Sequence, residues 1–103
     1  ESRFAGSDAN PYLAMAATLA CGYLGIMEKL QPTEPLAGSA QDKGYELPRS
    51  LEESLRLLNG CQPLRELIGD RFVRAFIAVK QKEYETFFRV ISSWEREFLL
   101  LNV

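Results

Sequence analysis

The sequence has 103 residues, 47% hydrophobic and 25% charged, the proportions of one ordinary globular domain or a piece of one. Its 12 lysines and arginines against 14 aspartates and glutamates leave a net charge of -2, which excludes the basic footprint of a nucleic-acid binder. Histidine is absent, so no Ser–His–Asp triad, Cys–His dyad or histidine-bearing zinc site can be built from these residues.

Glu1 is neither an initiator methionine nor part of a charged-then-apolar leader. Cys21 and Cys61 are too few for a disulfide framework and lack CxxC spacing. The expectation is a reduced, cytoplasmic chain cut from something longer.

The first element predicted is a helix over residues 10–30. Asn10 is a good N-cap, and Pro11 suits the first helical position, where a missing N–H costs nothing. From Pro11 to Met27 no residue is charged. The run stays below the ~20 residues of a membrane span and is rich in alanine and glycine, which points to a buried, closely packed helix. A helix apolar on all sides has to be covered on all sides. The rest of the chain is itself amphipathic and cannot cover it alone, so partner structure is expected.

Pro32, Pro35, Gly38, Gly44 and Pro48 then punctuate a polar surface loop over 31–49. Residues 50–103 read as a helical end. Ser50 and Glu53 have capping-box spacing, Leu51, Leu55 and Leu58 share a face, and Asn59-Gly60 closes that helix. A short turn over Pro63–Ile68 ends at Gly69. Asp70 is then expected to cap a longer helix whose apolar side holds Val73, Phe76, Ile77, Tyr84, Phe87, Phe88 and Ile91. Phe72, Phe76, Phe87, Phe88 and Trp94 are read as a core stripe, and Cys21 as a buried, inert thiol. Ser92-Ser93 breaks the run before a last short helix over Trp94–Leu101. The apolar tail Phe98–Val103 suits either packing back onto the helices or burial against another subunit.

Chemistry has one candidate location. On an extended strand, Glu1 and Arg3 would share one side; a carboxylate there could ligate Mg²⁺ or Mn²⁺, and a guanidinium could grip an anion bidentately. Alone, that triplet reads as a solvated or salt-bridged strand end.

Its context adds to this. The run ESRFAGSDANPYLAMAA from Glu1 to Ala17 resembles the E-x-R-x-x-G-x-D-A-N-P-Y-L-A-x-A-A segment of the glutamine synthetase family. The likeness continues through GYLGIMEKL (22–30) and LPRSLEESL (47–55) to WEREFL (94–99), and so covers essentially the whole chain. The ending looks most like the branch that includes γ-glutamylpolyamine synthetases. The resemblance implies a mainly α fold, the helical C-terminal end of an α+β catalytic domain, with a strand remnant and turn over 1–9. It implies a parent ligase that forms γ-glutamyl phosphate from ATP and glutamate and lets ammonia or an amine displace the phosphate. Glu1 falls on a metal-ligand glutamate of the family and Arg3 on an arginine that contacts the glutamate substrate.

The family's histidine-bearing strand, its other metal glutamates and its nucleotide loops have no counterpart here. The 103 residues alone are therefore expected to be inactive and to bind neither ATP nor Mg²⁺ or Mn²⁺ well. Homo-oligomers are implied, since dodecameric members end in a segment reaching a neighbouring subunit; nucleic acid and membrane are not expected partners. Tyr45-Glu46-Leu47-Pro48 is similar to a loop that carries an adenylylated tyrosine in some bacterial members, but the surrounding loop differs, and modification at Tyr45 is not expected. The alternative function is a non-catalytic scaffold of the same family or a stand-alone helical interaction module.

Overall fold

The structure, a computed structural model, describes residues 4–39, 44 and 46–100. Among them there are helices and no strand. Residues 4–9 contain a turn, closed by the Ala9 N–H donating to the Gly6 carbonyl at 3.1 Å.

Asn10 opens α1 (Pro11–Met27) as the sequence predicts: its Oδ1 accepts from the N–H groups of Tyr12 at 3.0 Å and Leu13 at 3.3 Å. The helix ends three residues earlier than expected. Lys29 adopts a left-handed backbone (φ 52°), its N–H donates to Ile26, and the Leu30 N–H donates back to Gly25 at 2.9 Å. This is a Schellman closure, made by a lysine where glycine is usual.

Residues 31–39 and 46–50 are irregular, as their prolines and glycines predict. Ser50 then caps α2 (Leu51–Gly60), its Oγ accepting from the Glu53 N–H at 3.1 Å. The Glu53 carboxylate returns to the N–H of Arg49 rather than of Ser50, a capping box stretched by one residue. Gly60 is the last helical residue, and the cap is Cys61. The Cys61 N–H bonds back to Leu57, while its carbonyl accepts from Arg65 to start α3 (Gln62–Ile68).

Gly69 links α3 to α4 (Asp70–Phe87) at φ 107°, a conformation in which a side chain would be strained. Asp70 was expected to cap α4; it is instead the first helical residue and makes no capping bond. Its carboxylate has other partners. Arg65 donates to it through Nε at 2.8 Å and through Nη2, and Arg74 approaches it at 2.7 Å. The same Arg65 donates through Nη1 to the Asn59 carbonyl at 2.8 Å. One guanidinium thus ties the end of α2 to the start of α4, and the acid also sits favourably at the positive end of α4.

Around this clamp Leu55, Val73 and Ile77 are buried, with Leu58, Ile68 and Phe76 packed against them. The expected aromatic core stripe is not formed. Phe76 joins the core, but Phe72, Phe87, Phe88 and Trp94 are largely exposed and pair with one another or with near neighbours. The reason is position: α4 outruns α2, so the aromatic residues on its last turns have no helix opposite them.

Among the described helices α1 packs against α3 alone. Its better-covered side is Leu13, Ala17, Ala20 and Leu24, with Ala20 its one buried residue. The other side shows Tyr12, Met15, Leu19, Tyr23 and Ile26 to solvent, with Tyr12 77% and Ile26 76% exposed. Covering on all sides, as the sequence demands, is not supplied by these residues.

Two outcomes follow. Asp70→Ala should lower stability by about 1 kcal/mol, the modest value reflecting partial exposure of the clamp, whereas Lys82→Ala at an exposed pair should change it by less than about 0.5 kcal/mol, both read from urea unfolding. The isolated chain should self-associate through its uncovered apolar surface; a concentration-independent monomer in sedimentation would count against that.

Candidate functional site

The sequence places its candidate chemistry at Glu1 and Arg3, which lie outside the described residues. What the structure defines is the segment that follows them. Phe4 is exposed, and the chain reverses through the Gly6–Ala9 turn into the Asn10 cap. The Asp8 carboxylate folds over the turn, its Oδ1 2.7 Å from the position a Cβ on Gly6 would take. Pro11 fixes φ at the first helical residue, so the entry into α1 is set by a turn, a cap and a proline in succession.

No group of three or more His, Cys, Asp or Glu side chains among the described residues is arranged to hold a metal ion. Glu1 brings one carboxylate, and a hard divalent ion needs several fixed oxygen ligands.

An open groove of about 750 Å³ lies between α2 and α4, with Leu55 and Ile77 at its floor and Glu52, Arg56, Gln81 and Glu85 around it. Sequence reading did not anticipate it. Its charges are mixed in sign and solvated, and no buried side-chain polar atom among the described residues lacks a hydrogen-bond partner. It offers shape without directed chemistry.

The remaining sequence candidates are placed as follows. Cys21, expected to be buried, is exposed, because it lies off the side of α1 that α3 covers. Cys61 is exposed at the α2–α3 junction. Tyr45 and residues 101–103 of the apolar tail lie outside the described residues; Phe98, Leu99 and Leu100 are exposed in and after a π-helical turn, Glu95–Leu99. No helix is long and apolar enough to cross a membrane among the described residues.

The helix expected to run to a break at Ser92-Ser93 ends earlier, α4 closing at Phe87, and Ser92 instead opens the next segment. Its Oγ accepts from the Glu95 N–H at 3.1 Å while the Glu95 carboxylate accepts from the Ser92 N–H at 2.7 Å, a reciprocal capping box that starts the last helical segment. The Ser92 backbone bond, with the Ser92 side-chain bond second, holds the Glu95 carboxyl below the usual glutamate value.

The family model for the catalytic domain of glutamine synthetase matches residues 1–99. The chain belongs to the glutamine synthetase family. It is 39% identical over 103 residues to a type-1 glutamine synthetase 2 of Dictyostelium discoideum, covering 94% of this chain and 20% of that protein. Against a glutamate–isopropylamine ligase of a Pseudomonas species it is 34% identical over 99 residues, 92% of this chain and 22% of the relative. Against the γ-glutamylputrescine synthetase of Escherichia coli (strain K12) it is 35% identical over 103 residues, 99% of this chain and 22% of the relative. The chain thus spans about a fifth of the length of the curated relatives it matches. No solved structure matches it. The family assignment and the helical fold agree with a mainly α, C-terminal part of a glutamine-synthetase-type catalytic domain, and relatives from the glutamate–amine ligase branch are among the matches.

The lowered Glu95 carboxyl gives a pH expectation. Its contribution to the last helical segment is fully present above the ordinary glutamate value and is lost as pH falls through the lowered one. In carboxyl NMR titrations Ser92→Ala should move the Glu95 midpoint upward, back toward that ordinary value.

Proposed function

We propose that this chain is part of an ATP-dependent ligase of nitrogen metabolism that joins ammonia or an amine to the γ-carboxyl of glutamate. In that reaction the γ-carboxylate attacks the terminal phosphorus of ATP and ADP leaves. The amine nitrogen then attacks the acyl carbon of the γ-glutamyl phosphate, inorganic phosphate leaves, and the nitrogen loses a proton. Arg3 grips the glutamate anion bidentately and holds it where it reacts. Glu1 supplies one oxygen ligand to a Mg²⁺ or Mn²⁺ site whose other ligands come from outside these residues, and ATP is likewise bound elsewhere. The observation that carries the reading is the family match over residues 1–99, which includes both residues of the E-x-R triplet. The relatives named for ligation of isopropylamine and putrescine support an amine acceptor.

The remainder of the catalytic domain covers the outer face of α1, and the protein works in the cytoplasm as a homo-oligomer. The solvent-facing row from Tyr12 to Ile26 weighs against a stand-alone helical module, which would bury its longest apolar surface itself.

Two measurements test this. The 103 residues mixed with ATP, glutamate, Mg²⁺ and an amine should release no phosphate above blank; measurable turnover would overturn the division of the site. In the ligase that contains this segment, Arg3→Ala should lower kcat/KM for glutamate by about 100-fold, as expected for loss of a charged anchor to a reacting anion. An unchanged value would remove Arg3 from the site.

A further inference from the structure

We draw no further inference here: the strongest candidate, the open groove between α2 and α4 floored by Leu55 and Ile77, has charges of both signs around it and nothing in the structure shows what covers it.

Discussion

Between Pro11 and Met27 there is no charged side chain, and only Ala20 of that helix is buried within the described residues. The rest of the structure has to be understood around this mismatch. A helix with no polar face gains nothing from solvent on either side, and α3, the helix it packs against, is seven residues long. The small side chains of Ala17 and Ala20 face the better-covered side. The bulky Tyr12, Met15, Leu19, Tyr23 and Ile26 are left outward. An apolar surface of this length is characteristic of a helix that lies within a larger domain, in keeping with a chain that spans about a fifth of its relatives.

The other half of the molecule is organised differently. The helices α2, α3 and α4 share a small core at Leu55, Val73 and Ile77, and the Arg65 guanidinium holds the Asn59 carbonyl and the Asp70 carboxylate at once. Gly69 makes the reversal between α3 and α4 possible because its φ of 107° is open to glycine. This unit has internal reasons for its shape. In contrast, α1 has an internal reason only for its two ends, the Asn10 cap and the Lys29–Leu30 closure.

Local chemistry was the most legible part of the sequence. Asn10-Pro11, Ser50 with Glu53, and Gly69 each mark a boundary that the backbone bonds confirm, because caps and turns depend on residues a few positions apart. Burial was less legible. Periodicity carries the apolar side of α4 on through Phe88 to Ile91, yet α4 ends at Phe87 and all three residues are exposed, since spacing gives a direction and neither an end nor a neighbour. Cys21 failed for the same reason. The Arg65–Asp70–Arg74 clamp was missed because its central pair is five residues apart across a helix break, outside the i,i+4 pattern that sequence reading searches. The E-x-R triplet is informative only through the DANPYLA run after it; by composition alone it is an ordinary strand end.

The central claim is that α1 belongs to a larger catalytic domain that covers its outer face. Amide hydrogen exchange of α1 tests it most directly, measured in the isolated 103 residues under dilute, monomeric conditions and in the ligase that contains them. Local protection reports how tightly a segment is held by its surroundings. The account predicts fast exchange at Leu19, Tyr23 and Ile26 in the isolated chain and slowing by at least about 100-fold in the ligase. Equal protection in both would contradict it.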